Sequence, residues 1–408
     1  MSSTSTIHII GAGLSGLAAA LIAAEAGHNV ILYEASAHAG GRCRSFYDKK
    51  LKTTIDNGNH LVMGANSAVL GYLTKLGTLS SCVTTSKPVY PFIDLATRHH
   101  WHFAPPRFKG IPKSEWLHLL KLILPAKNKT VSQAIPEHTV LYKKLIEPFT
   151  LAVLNTSPKE ASAALLGQLM HQLAKGGRAA WQPYVPSQSL SHSFVDPALL
   201  RIKTKGGKIH YNCAVQHIDY TNGRATMLHT HKQKISLDEK AQLIIASPAK
   251  TAMDLLPEIA ADFHYSPIIN AHFMWPQAGM FRDNMPFLGV INGTVQWIFF
   301  HNGRISTTTS AANALVNMPE AELAQLLWHD VCRALYLDNA AIPPYRVIKE
   351  KRATYTASPD IVALRPQTTT SYSNVFLAGD YLASPLPATL EAAIRSGFAA
   401  ASLAIDTT

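Results

Sequence analysis

The sequence predicts an α/β protein, and three stretches near its start predict it. Ile7 to Ile10 is a short apolar run that ends at Gly11, as a buried parallel strand does. Leu14 to Ala26 is rich in Ala and Leu and free of Pro, which is a helix pattern, and Gly27 follows it as a C-terminal glycine does. Val30 to Tyr33 is a second short strand. Strand, helix and strand in this order make a Rossmann-like βαβ unit beginning at residue 7.

Further along, the pattern changes. Residues 80–200 are rich in Pro, with helical periodicity in patches such as Lys113 to Leu124. Ser157-Pro158-Lys159-Glu160 has the form of a helix start, with Ser as cap, Pro at the first position and Glu three residues after the cap. Residues 208–218 and 241–246 read as strands, and 296–310 are β-like again. Pro319 to Tyr336 reads as an amphipathic helix, and Val375 to Ala404 as strand, loop and helix. The chain of 408 residues is long enough for two domains. We expect a Rossmann-like nucleotide-binding domain from 1–80, 200–255 and 356–408, interleaved with a mixed α+β substrate-binding domain from 81–199 and 256–355.

Composition excludes several classes. Apolar residues make up 47% and charged residues 15%, which suits a large core and is too little charge for disorder. The net charge of +11 occurs without a run of five or six Lys/Arg and without zinc-finger spacing, so no nucleic acid partner is expected. Cys43, Cys82, Cys213 and Cys332 form no CxxC pair, and the 19 His show no HExxH spacing, so neither a disulfide framework nor a metal site is expected. His99-His100 and His229/His231 read as solvated loop residues. The N-terminal MSSTSTIHIIGAG has no positive region before its apolar stretch, and no uncharged apolar run approaches the length of a membrane span. The expectation is a cytoplasmic protein, free or peripheral on the inner face of a membrane.

The first motif is Gly11-Ala12-Gly13-Leu14-Ser15-Gly16, followed at the end of the second strand by Glu34-Ala35. This is a dinucleotide fingerprint: Gly11 permits the tight turn, Gly13 lets a pyrophosphate approach, and Gly16 allows close helix–strand packing. Glu34 would accept hydrogen bonds from ribose hydroxyls, and an acid there disfavours a 2′-phosphate. The second motif, Gly40-Gly41-Arg42-Cys43-Arg44-Ser45, suits a loop crossing the pyrophosphate, because arginine offers bidentate bonds to phosphate. The third is Ala378-Gly379-Asp380, then Pro387-Ala388-Thr389-Leu390-Glu391-Ala392-Ala393-Ile394-Arg395-Ser396-Gly397. Asp380 could hold a ribityl chain, and the helix after Pro387 would turn its positive end towards a ring system. Leu390, Ile394 and Phe398 form a stripe suited to core packing.

Together these three motifs resemble the GR2-type flavoprotein superfamily of amine oxidases and phytoene desaturases. A narrower resemblance is carried by Asp56-Asn57-Gly58-Asn59-His60-Leu61, Leu154-Asn155-Thr156-Ser157-Pro158, Lys351-Arg352-Ala353-Thr354-Tyr355 and Leu364-Arg365-Pro366. These look like the squalene-associated FAD-dependent desaturases, the hydroxysqualene dehydroxylase family, over about residues 5 to 404. The resemblance implies a non-covalent FAD and the reduction of hydroxysqualene to squalene in triterpene or hopanoid biosynthesis. It places FAD contacts at Gly11, Gly13, Leu14, Ser15, Gly16, Glu34, Ala35, Gly41, Arg42, Gly58, Asn59, Val215, Gly379, Asp380, Pro387, Ala388 and Thr389. His38 and Ala392 depart from the superfamily, which commonly has Arg before the GG pair and Gly after the Glu of the last helix.

For catalysis, His60, with its neighbour Asn59, follows a turn expected beside the flavin, and His60 could protonate a leaving hydroxyl. A structural histidine at a turn is the plainer reading. Tyr381 is a further candidate, and Arg352 reads as a holder of a carbonyl or an acid. An oxidative polyprenoid desaturase, an amine oxidase and a non-catalytic isoprenoid carrier are the rival functions. The partner expected is a lipophilic triterpene, drawn from a membrane surface through Trp101, Phe103, Phe108, Trp116 and the Leu-rich helix, with Arg107, Lys109, Lys113, Lys121 and Lys127.

Overall fold

Thr6–Ile10 lies at the centre of a five-stranded parallel sheet, flanked by Asn29–Tyr33 and Lys208–His210 on one side and by Gln242–Ile245 and Val375–Leu377 on the other. The computed structural model describes residues 5–105, 110–123, 128–256, 258–259, 262–282, 285–337 and 340–407. Both faces of this sheet are covered, so its inner strands are mostly apolar rather than alternating, with His8 buried against the Tyr33 hydroxyl, while the edge strand Lys208–His210 carries polar residues. Ile7, Ile9 and Ile244 pack towards the helices Leu14–Glu25 and Leu390–Asp406. Leu243 and Ile245 pack instead against Ile218, Ala225 and Leu228 of a three-stranded antiparallel sheet, Val215–Thr221, Arg224–Thr230 and Lys234–Ser236. The two helices touch closely: a Cβ on Gly397 would sit 2.2 Å from the Ser15 carbonyl oxygen.

The other large unit is a seven-stranded sheet in the order Tyr345–Tyr355, Tyr265–Met274, Arg304–Thr309, Trp297–His301, Phe287–Ile291, Tyr90–Asp94 and His100–Phe103. Its period-two alternation gives it two different faces. Leu288, Val290, Ile298, Phe300 and Ile305 pack on the amphipathic helix Glu320–Leu335. Phe92, Phe287, Trp297 and Phe299 face the opposite way, where Tyr90, Trp101, Phe103, Phe149 and Trp181 extend them into a continuous aromatic wall.

Three sequence expectations need correction. Residues 208–218 are two strands in two sheets, because Asn212 turns the chain with a φ of 48° between Lys208–His210 and Val215–Thr221. The helix expected from Ser157 begins at Ala163; residues 158–160 are a turn, and it is Ser162 whose side chain accepts from the Leu165 N–H. His229 and His100 lie in strands, not loops; His229 Nε2 is 2.7 Å from Asp219, and His100 stays exposed at the start of His100–Phe103. Two π-helical turns, Tyr142–Ile146 and Ser191–Val195, stand directly before Glu147-Pro148 and Asp196-Pro197. Proline cannot donate to the preceding turn, and a widened turn accommodates it.

Candidate active site

The glycine loop is built as its residues predict. Gly11 has a φ of +102°, and a Cβ there would lie 2.7 Å from the Ala246 carbonyl oxygen. A Cβ on Gly16 would lie 1.9 Å from the Gly11 oxygen. Gly13 differs, since a Cβ there would meet nothing within 4 Å. It precedes helix Leu14–Glu25, which has no side-chain cap and no acid in its first turn. Its first N–H groups and positive dipole end are therefore free for an anion.

The second motif docks on the first. Gly40 donates its N–H to the Ala12 carbonyl at 2.8 Å and bridges to Gly13. The Glu34 carboxylate accepts from Ala12 N–H and from Ser36 N–H, both at 2.8 Å, which holds it at the end of the second strand with lone pairs to spare. The neighbouring chain is tied there too: Cys213 N–H bonds the Glu34 carbonyl at 2.9 Å, two residues before buried Val215.

Arg42 joins the second motif to the third. Its Nη2 is 2.8 Å from Asp380 Oδ1, and its Nη1 donates to the Ala353 carbonyl. Asp380 holds the guanidinium further in its charged state, and Glu350 adds to this. Arg352 is exposed; the guanidinium that grips carbonyls in this region belongs to Arg365, through Ser384 and Leu386. The last helix is explained residue by residue. Thr389 accepts from the Ala392 N–H, Ser396 Oγ from the Gly379 N–H at 2.9 Å, and Glu391 from the Ala68 and Val69 N–H groups at 3.1 and 2.9 Å. Glu391 thus caps helix Ser67–Leu76, whose own Asn66 makes no cap, and Arg395 completes the pair at 2.7 Å.

The Asp56–His60 turn is pinned to the seven-stranded sheet. Asn59 Nδ2 donates to Thr308 Oγ1 at 3.0 Å, Asn270 donates to the Asn57 carbonyl at 3.3 Å, and His272 bonds the Asp56 carbonyl at 2.9 Å. A small, partly open cleft lies beside it, lined by Asp56, Gly58, Asn59, His60, Val185, Pro186, Leu190, Phe299 and His301. Burial, reinforced by the charge of Arg42, pushes His60 down to about 4, so its imidazole is neutral near pH 7. His301, across the chain in Trp297–His301, was not foreseen; only the pairing of the sheet brings it here.

The profile of the flavin containing amine oxidoreductases matches residues 14–145 and 125–405. The hydroxysqualene dehydroxylase of Zymomonas mobilis is 37% identical, covering 98% of this chain and 99% of the relative. That of Sinorhizobium fredii is 35% identical over the same shares. The chain belongs to the hydroxysqualene dehydroxylase family of flavin-containing amine oxidoreductases. Similar solved structures share the fold: cyclohexylamine oxidase from Brevibacterium oxydans, TM-score 0.73 at 16% identity over 99% of both chains, and an oxidoreductase from Methanosarcina mazei, TM-score 0.73 at 15% identity over 97% of this chain and 99% of the other.

The protein is therefore an FAD-dependent oxidoreductase, and its residues fit FAD. A Cβ on Gly13 would meet nothing within 4 Å, which leaves room for a pyrophosphate there, Glu34 keeps lone pairs that could accept from a ribose, and Arg42–Asp380 joins the second motif to the third. Among the described residues, the buried hydroxyls of Ser247, beside Gly11, and Tyr381, beside Asp380, are among those with no hydrogen-bond partner. A buried hydroxyl without a partner costs about 1–3 kcal/mol, which a bound group would relieve. Ser247, missed in the sequence, carries no motif of its own. Among the described residues no group of three or more His, Cys, Asp or Glu could hold a metal, and no helix is long and apolar enough to cross a membrane.

Proposed function

We propose that this chain removes the hydroxyl of hydroxysqualene reductively, giving squalene. One observation carries the reading: identity of 34–37% to three hydroxysqualene dehydroxylases extends over 98% of the chain, so it includes the substrate half as well as the flavin motifs. The phytoene desaturases reach 22–23%. The C–O bond breaks, a C–H bond forms, and the oxygen takes one proton and leaves as water. When bound, reduced FAD supplies the hydride, and an external two-electron reductant restores it.

The protein's part is to orient and to keep dry. Val185, Pro186, Leu190 and Phe299 give the cavity apolar walls, which protect an allylic cation from water. Asn59 fixes the turn that presents His60. His60 is the proton donor in this reading, through its minority imidazolium. With its folded value near 4, that form grows about tenfold per unit as pH falls from 7 towards 5. Turnover should rise with it, and the rise should vanish in His60→Phe. The primary experiment is anaerobic incubation of the photoreduced holoprotein with hydroxysqualene. Squalene and oxidised flavin are expected; a more unsaturated product from oxidised enzyme would establish the desaturase instead.

The substrate is nearly insoluble, and we place its entry at a membrane surface. Helix Leu117–Ile123 leaves Leu117 68% and Leu120 52% exposed, beside exposed Lys113 and Lys121. Apolar insertion with basic contacts suits an anionic bilayer. Arg107, Phe108, Lys109 and Lys127 lie outside the described residues, and Trp101 and Phe103 belong to the aromatic wall. Flotation with anionic liposomes should carry the protein, and Leu117→Ser with Leu120→Ser should abolish it.

A further inference from the structure

Arg365 is a buried cation, 8% exposed, whose hydrogen bonds among the described residues go to neutral acceptors. Its Nη1 donates to Tyr355 Oη at 3.0 Å and to the Leu386 carbonyl at 2.8 Å. Its Nη2 donates to the Ser384 carbonyl at 2.6 Å and its Nε to that of Val362 at 3.3 Å. Other buried or half-buried arginines nearby are matched: Arg42 by Asp380 and Arg395 by Glu391. Among the described residues no carboxylate pairs with Arg365. Leaving a buried charge unmatched costs several kcal/mol, so its retention calls for an anion.

The place of that charge indicates which anion. Ser384 and Leu386 lead directly into Pro387–Thr389 and the 17-residue helix Leu390–Asp406. The helix adds its own positive end to the same turn. Tyr381, three residues before Ser384, carries a buried hydroxyl with no hydrogen-bond partner among the described residues. Tyr355 is neutral, pushed up to about 12 mainly by burial, while Asp380 is engaged by Arg42, with Glu350 also facing that guanidinium. We propose that Arg365 is a positioning residue that sets the reduction potential of the bound FAD, by fixing the 384–388 turn and by stabilising the reduced flavin as its anion. The inference rests on the family's cofactor and not on the substrate, so a failure to make squalene leaves it standing.

The test is potentiometric. In the wild-type holoprotein an anionic reduced flavin takes up one proton per two electrons, a tenfold change per pH unit, and the midpoint should fall about 30 mV per unit between pH 6 and 8. A neutral reduced flavin takes up two protons and gives twice that slope, which would overturn the proposal. In Arg365→Met carrying one FAD per chain, the reduced form should lose at least tenfold in preference, a fall of about 30 mV or more. Arg365→Lys, which keeps the charge but not the fork, should recover at least half of this. An unchanged midpoint in FAD-loaded Arg365→Met would equally refute it, and if that variant fails to hold FAD, the wild-type slope decides.

Discussion

The two helices that carry the first and third motifs begin in opposite ways. Leu14–Glu25 starts at Gly13 with no side-chain cap and no acid in its first turn. Leu390–Asp406 starts at Thr389, whose hydroxyl takes the Ala392 N–H, and it carries Glu391 in its first turn. Both have a positive end, but the first has no capping side chain and no acid, while the second has its Ala392 N–H taken by Thr389 and an acid in its first turn. The first end is the more open to an anion such as a phosphate. The second is partly capped by its own side chain, and its acid is turned to cap helix Ser67–Leu76. The difference shows that a helix dipole is made into a binding site by which N–H groups remain unused, not by length.

Substitutions at the open end should separate folding from binding. Gly16→Val should cost the most, upwards of about 3 kcal/mol, because its Cβ would collide with the Gly11 carbonyl oxygen within the backbone. Urea unfolding of the apoprotein reads this loss. Gly13→Ala meets nothing in the protein, so apoprotein stability should change by less than about 0.5 kcal/mol. Its FAD affinity should nonetheless fall at least about tenfold, roughly 1.4 kcal/mol, in a fluorescence titration. Equal effects at the two glycines would break the comparison.

At the closed end, Glu391→Ala should destabilise by about 2–4 kcal/mol, since two N–H groups of a neighbouring helix and Arg395 lose their partner together. FAD content per folded chain should stay near one. Loss of FAD at unchanged stability would mean that this acid faces the cofactor rather than the helix.

What was legible in the sequence follows the same division. Gly11, Gly13, Gly16, Glu34, Gly41 and Arg42 act at fixed local spacings, and the βαβ unit they mark is present. Their resemblance to a family carried the cofactor. The rest of the chain was legible only in pieces. Phe299 and His301 reach the cavity by pairing between strands distant in sequence from Asp56–His60, and nothing local records that pairing. Ser157-Pro158 imitates a helix start five residues early, because the true cap, Ser162, is fixed by Ala357 from another segment. Residues 208–218 alternate like one strand, but the alternation does not reveal the turn at Asn212 that sends its halves to different sheets.

The smallest effect tests the family departure at Ala392. The superfamily resemblance leads one to expect Gly there, with a close backbone approach to the flavin. In this protein the Ala392 N–H is already taken by Thr389 Oγ1, and the residue is buried. Removing the methyl group therefore frees no donor for the cofactor. Ala392→Gly should cost about 0.5–1 kcal/mol, the ordinary helix penalty of glycine. FAD affinity and the visible flavin spectrum should stay as in the wild type. Tighter FAD binding in Ala392→Gly would show that the methyl group holds the ring away, and that this helix end is less closed than its cap implies.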